Sequence, residues 1–240
     1  MLQTKQDTPL NSTPGFITGT QPIEFFEFSG LILECQFSQE SYQDSLFTTL
    51  AIHFPDKITK ACQKRKAEFL AGRYCAHLAL QQFGHIETHV PIGPNRSPQW
   101  PTDTPGSITH THDLAICALN NKPKAIGIDY EPTISTETAR EIKNLIVNQA
   151  EETRLSQTDL PLEQWLTIAF SVKESLFKAL YPTAKQYFDF LDAEIQDIDC
   201  KNKKIALTLS RDLCPEAIKG QRFLGAYNSH KKGFITLFEC

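Results

Sequence analysis

An α+β fold is what this sequence predicts, and three features predict it. Two stretches, residues 64–84 and 162–182, carry apolar residues at helical spacing. Short stretches rich in β-branched and aromatic residues recur around them. Turn residues join several of those stretches directly, as in antiparallel hairpins, and no run of strand–helix–strand units appears.

In chain order, residues 1–22 are polar and rich in Thr, Gln and Pro, which predicts a loose arm. FEFSGLILECQF (26–37) predicts one or two strands, and SYQDSLFTTLAI (41–52) a short helix. KRKAEFLAGRYCAHLALQQFG (64–84) predicts a helix whose face holds Ala67, Leu70, Ala71, Tyr74 and Leu78, with Gly84 as C-terminal cap. Residues 91–107 hold five prolines and two glycines, which predicts an ordered loop of the kind that often carries function. Residues 108–119 and 124–131 are strand-like and joined by the turn chemistry of NNKP (120–123).

Ser135 begins a helix over 135–149, and a second helix over 162–182 buries Trp165, Ile168, Ala169, Val172, Leu176 and Ala179 before Pro182 ends it. Two strand pairs follow: 193–199 with 203–210 around an Asn-Lys turn, and 222–228 with 233–239 around His230–Lys232. No repeat relates the two halves in sequence.

A chain of 240 residues with 40% hydrophobic and 22% charged residues can bury a substantial core, as one large domain or two small ones. The formal net charge of −4 argues against a nucleic-acid binder, though it leaves room for a local basic pocket. Seven scattered cysteines without a CxxC pair predict free thiols in a reducing compartment. No signal peptide and no membrane-length apolar run is present, so the expected location is the cytoplasm.

Three groups of residues could carry chemistry. In GIDYE (127–131), Asp129 and Glu131 share one face of a strand, and paired carboxylates suit a hard cation such as Mg²⁺. Alone, the pair fits a solvated strand end stopped by Pro132 at least as well. In SVKESLFK (171–178), Glu174 and Lys178 stand one turn apart on the face opposite the apolar stripe, where an ordinary surface ion pair is the commoner outcome. Arg65 and Arg73, eight apart, lie on broadly one side of a helix, and with Arg96 and His110 they could grip phosphates. His110 and His112 suggest zinc, but no third N or S ligand has suitable spacing.

In this order, KRKAEFLAGR (64–73), NRSPQWP (95–101), GSITH (106–110), GIDYE (127–131) and FSVKESLFKALYP (170–182) resemble the 4′-phosphopantetheinyl transferases of the surfactin/enterobactin type. The match is closest to the branch of enterobactin synthase component D. It spans residues 64–182, about half of the chain. The resemblance implies two pseudo-symmetric α+β halves with the active site in the cleft between them. Together with the linker it gives an arm (1–22), an N-terminal half (23–122) and a C-terminal half (123–240).

It implies further that Asp129, Glu131 and Glu174 surround Mg²⁺, and that Arg65, Arg73, Arg96, Thr109, His110 and Lys173 bind coenzyme A. Glu174 and Lys178 become the catalytic pair, and Tyr187 and Phe188 line the pantetheine path. The implied reaction moves phosphopantetheine from coenzyme A to a serine of an apo peptidyl, aryl or acyl carrier domain, as a holo-carrier-protein synthase serving siderophore-type peptide synthesis does. The expected enzyme is monomeric, with no nucleic-acid partner. The rival readings are a metal-dependent phosphohydrolase acting on coenzyme A or a related nucleotide, and a non-catalytic module that binds coenzyme A or a carrier domain. The chain departs from the family pattern at Tyr130, Phe170 and Thr109, and at Asn95, where a basic residue is frequent.

Overall fold

Seven residues, Leu31–Phe37, form strand β2 and seed the first of two antiparallel sheets. The computed structural model describes residues 15–25, 28–122 and 124–240. The rest of the expected arm (1–14), residues 26 and 27 of the first predicted strand stretch, and Pro123 of the linker lie outside the described residues.

The first sheet has the order β1-β2-β4-β3, with β1 at Ile17–Pro22, β3 at Gly106–His110 and β4 at Leu114–Leu119. Two expectations are corrected here. Ile17–Pro22 is a strand paired with β2 through Thr20↔Cys35, so the expected loose arm is ordered at that end. The single strand stretch 108–119 is a hairpin instead. The chain turns at Thr111–Asp113, where Thr111 N donates to Leu114 O at 2.7 Å, and β4 returns antiparallel to β3. Helices α1 (Leu46–Thr49) and α2 (Asp56–Thr59) are single turns. Helix α3 (Gln63–Gln82) packs on β2 and β4 and buries all five residues of the predicted face. Gly84 follows at φ 87°, the left-handed position expected after a helix end.

The second sheet has the order β5-β9-β8-β7-β6. Its strands are β5 (Ile126–Pro132), β6 (Ala193–Asp199), β7 (Lys204–Leu209), β8 (Arg222–His230) and β9 (Gly233–Glu239). The helix predicted over 135–149 divides into α4 (Thr136–Ile146) and α5 (Gln149–Leu155). Ser135 caps α4 as predicted, but Asn148 and Glu151 form a capping box that starts a new helix. Helix α6 (Leu162–Ala184) runs through Pro182 and stops at Lys185, left-handed at φ 51°. Pro182 forfeits only the bond to the Lys178 carbonyl, and the predicted stop there is corrected by one further half-turn. The predicted apolar stripe of α6 is buried throughout.

The fold is therefore α+β, with one long helix on each of two antiparallel sheets. Between the sheets lies an apolar layer in which Ile32, Ile116 and Ala118 of the first meet Ile128, Ile235 and Leu237 of the second. Each fully buried isoleucine contributes about 1.5–3 kcal/mol. Strands β3 and β5 run side by side without a shared ladder, and hydroxyls fill the gap. Ser107 Oγ accepts from Ile128 N at 3.1 Å and Thr109 Oγ1 from Tyr130 N at 3.3 Å. A buried carboxylate adds a second tie, since Glu34 of β2 meets His230 Nε2 at 2.6 Å and Lys231 Nζ at 3.2 Å at the β8–β9 turn. Burial works against the Glu34 charge, but bonds from Gln36, His230 and Lys231 outweigh it and hold its pKa below the ordinary value. All seven cysteines are free thiols.

Candidate active site

Strand β5 and helix α6 approach so closely that only glycine fits at 127, where a Cβ would stand 1.8 Å from Ser175 O. That contact brings the acids of β5 under α6. Asp129 is 3% exposed and fully bonded: its oxygens accept from Thr109 Oγ1 (2.9 Å), Ser171 Oγ (2.8 Å) and Lys178 Nζ (2.7 Å). Ser171 continues to Thr236 at 2.9 Å, and Thr236 to Ser175 at 2.6 Å, so a buried hydroxyl chain holds the Asp129 side of the seam. The face of Glu174 and Lys178 is thus turned to β5, and the reading of a surface ion pair is corrected.

Glu131 shares the Asp129 face. Burial first, then the neighbouring Asp129, push its carboxyl up to about 8, with Glu174 adding to the shift and Lys178 opposing it. Glu174 is also raised, by burial first and by Asp129, against the pull of Lys178. One lysine therefore faces three carboxylates. Among the described residues no group of three His, Cys, Asp or Glu side chains is gathered closely enough to enclose an ion. Asp129 is committed to Lys178 and two hydroxyls, and the expected three-acid shell is not assembled as these side chains stand. The donors are all oxygens and their charge is undercompensated, which is the chemistry that suits a hard divalent cation.

On the other side of β3 the charge reverses. A cavity of about 470 Å³ brings together Arg65 and Arg73 of α3, Arg96 of the proline-rich loop and His110 of β3. Arg65 Nη1 donates to His110 Nε2 at 2.8 Å. Burial, then the Arg65 and Lys178 cations, push His110 down to about 4, so the ring is neutral at pH 7 and accepts that bond. Arg73 lies over the Phe69 ring at 4.7 Å, and burial lowers it to about 10, which leaves it charged. Its Nε is a buried donor with no partner. Such a group costs about 1–3 kcal/mol unless something accepts from it.

Two of the residues expected to contact coenzyme A lie elsewhere. Thr109 points away from the cavity, because side chains alternate along β3: Ile108 and His110 line the cavity, and Thr109 supports Asp129. Lys173 is corrected more sharply. It is 2% exposed and bonded to Glu151 at 2.7 Å, to Ile146 O at 2.7 Å and to Phe190 O at 2.9 Å. Burial lowers its pKa and Glu151 restores part of it. Nothing remains for a ligand. Tyr187 is 80% exposed beside Phe177, whereas Phe188 is buried.

The motif reading also missed residues. Glu68 stands 3.7 Å from Arg65 Nη1 and 3.8 Å from His110 Nδ1, a carboxylate on the wall of the basic cavity; the i, i+3 spacing of Arg65 and Glu68 was its only sequence signal. Lys57 of α2 joins the cavity wall and had none.

Comparison with known proteins bears on both sides of the seam. The family described as 4′-phosphopantetheinyl transferase N-terminal domain matches residues 54–120, and the 4′-phosphopantetheinyl transferase superfamily matches residues 125–230. Enterobactin synthase component D of Escherichia coli (strain K12) is 44% identical over 124 residues, 51% of this chain and 58% of that protein. The protein of the same name from Salmonella typhimurium is 38% identical over 143 residues, 60% of this chain and 59% of its own. The 4′-phosphopantetheinyl transferase PptT of Mycobacterium tuberculosis is 31% identical over 140 residues, 58% of this chain and 61% of its own. The chain thus spans less than two thirds of each of these relatives.

Proposed function

This chain belongs to the 4′-phosphopantetheinyl transferase superfamily, and we propose that it transfers the phosphopantetheine arm of coenzyme A to a serine of an apo carrier protein, releasing 3′,5′-ADP. The observation that carries this reading is the pairing of opposite charges across β3. A cation-lined cavity on one side suits the nucleotide phosphates, and an excess of carboxylates on the other suits a cation and a proton acceptor.

In this reading Arg65, Arg73, Arg96 and His110 hold the nucleotide, with the orphaned Arg73 Nε donating to a phosphate oxygen. Asp129, Glu131 and Glu174 would hold Mg²⁺, which when bound offsets charge on the pyrophosphate. Glu174 takes the proton of the attacking serine hydroxyl. A serine O–P bond forms at the β-phosphorus as the bond to 3′,5′-ADP breaks, and Lys178 offsets charge near Asp129 as the leaving phosphate departs. Binding far from the phosphorus by the arginines lowers the cost of positioning.

The carrier domains of siderophore-type peptide synthetases are the proposed acceptors, because two of the similar proteins described above carry the enterobactin synthase name. Both sides of the site come from one chain, which supports action as a monomer. Free thiols and a coenzyme A substrate fit the cytoplasm, and among the described residues no helix is long and apolar enough to cross a membrane.

The test is the mass of apo carrier domains after incubation with the protein, Mg²⁺ and coenzyme A. The carrier gains the mass of one phosphopantetheine arm. An unmodified carrier, or phosphopantetheine released from coenzyme A without any carrier, contradicts the proposal.

A further inference from the structure

Asn95 lies in the proline-rich loop and pairs with a side chain of helix α6. Residues 91–99 form a small arm in which Ile92 bridges Pro98, Gln99 N donates to Pro91 O (3.0 Å) and Gly93 N donates to Ser97 O (2.8 Å). At the tip, Asn95 and Arg96 both take left-handed backbone, at φ 49° and 66°. Asparagine tolerates that region better than most residues, but arginine has no such preference. Two such residues in succession persist when surrounding contacts fix them.

One side-chain contact holds the tip, at Asn95. Arg96 beside it lies on the wall of the cavity that holds Arg65, Arg73 and His110. Asn95 Nδ2 crosses to α6 and donates to Tyr181 Oη. Tyr181 in turn packs 5.4 Å from Phe177, which lines a small cavity with Glu174. A single side-chain bond therefore joins the arm that presents a cation to the helix that presents the acid.

We infer that the Asn95–Tyr181 bond is a strap that fixes the arm, and with it the Arg96 guanidinium, in place before ligand arrives. Asn95 and Tyr181 are then positioning residues for coenzyme A, an assignment that rests on reading the cavity as the nucleotide site. Pre-organisation of this kind lowers the ordering cost of binding. Its loss raises KM and leaves the chemical step alone, because the phosphate grip lies away from the reacting phosphorus.

The experiment uses the full chain with Tyr181→Phe, which removes only the acceptor, and Asn95→Gly, which keeps the left-handed tip unstrained. Amide hydrogen exchange over residues 91–99 is measured without ligand, and kcat and KM for coenzyme A are measured at saturating Mg²⁺ and carrier. Both variants speed exchange in the arm with unchanged Tm, and raise KM about three- to tenfold, as loss of one modest hydrogen bond implies. Adding Tyr181→Phe to Arg96→Ala raises KM no further, because the strap acts through Arg96. Unchanged exchange in the arm overturns the inference, and so does a full Tyr181→Phe effect in the Arg96→Ala background. Faster exchange in a protein that transfers nothing upholds the strap and refutes the transferase reading instead.

Discussion

Helices α3 and α6 each lie on an antiparallel sheet, yet they bring opposite chemistry to the seam where β3 meets β5. Helix α3 offers Arg65 and Arg73, whose donors are only partly used: Arg65 shares His110 and Glu68, and Arg73 Nε has no acceptor. Helix α6 offers Glu174 to a strand that already carries Asp129 and Glu131, with Lys178 between them. One side carries an excess of cations and the other an excess of carboxylates. In the proposed reading a polyanion bound with a divalent ion satisfies both, and neither side makes a complete site alone.

The sharpest way to break this comparison is at Lys173, a motif lysine whose bonds all lie within the protein. Lys173→Met leaves Glu151 buried without its counter-ion and should cost about 3–5 kcal/mol of stability by chemical denaturation. The folded fraction should bind coenzyme A as the unaltered protein does. Weaker binding with little loss of stability would return Lys173 to the nucleotide site.

The positive side is tested next. Arg73→Ala should reduce the preference for coenzyme A over dephospho-coenzyme A by about tenfold, the size of one charged hydrogen bond. Competition binding measures this, and equal losses for both ligands would mean that Arg73 grips something other than the 3′-phosphate.

The smallest effect compares the two sides through pH, in protein stripped of metal by chelation. His110 titrates near 4 when folded against an ordinary 6.5. The folded state binds fewer protons in that window, so stability falls as pH drops from 6.5 towards 4. Glu131 titrates near 8 against an ordinary 4.5. Here the folded state binds more protons, so stability falls as pH rises from 4.5 towards 8. Thermal melts should show His110→Gln removing the acid-side decline and Glu131→Gln the alkaline one, each a shift of a few degrees. An unchanged alkaline slope in Glu131→Gln would mean that burial and the neighbouring acids do not raise this carboxyl.

Local pattern carried much of this fold. The periodicities of α3 and α6 and the turns of the β6–β7 and β8–β9 pairs are readable because neighbours along the chain decide them. The hairpin at Thr111–Asp113 was missed because that turn lacks the glycine or proline that marks such reversals. The break before α5 was legible in Asn148 and Glu151, three apart, but the helical pattern around them masked it. In the site, the motifs located the charged positions without giving their partners. Lys173 is neutralised by Glu151 on another helix, and Thr109 faces Asp129 across two sheets. Pairings of that kind are set by tertiary contact, which no spacing along one strand or helix records.

The account claims that the α3 side holds the nucleotide and the α6 side performs the transfer, and paired measurements on Glu174→Gln and Arg65→Ala test it most directly. Coenzyme A binding is followed by calorimetry, and single-turnover transfer to an apo carrier at saturating Mg²⁺ is followed by mass. Glu174→Gln should bind coenzyme A normally and lose about 10²–10⁴-fold in transfer rate, whereas Arg65→Ala should bind weakly and recover most of its rate at saturation. If Glu174→Gln transfers at the unaltered rate, or if both variants lose binding and rate together, the division between the two halves is wrong.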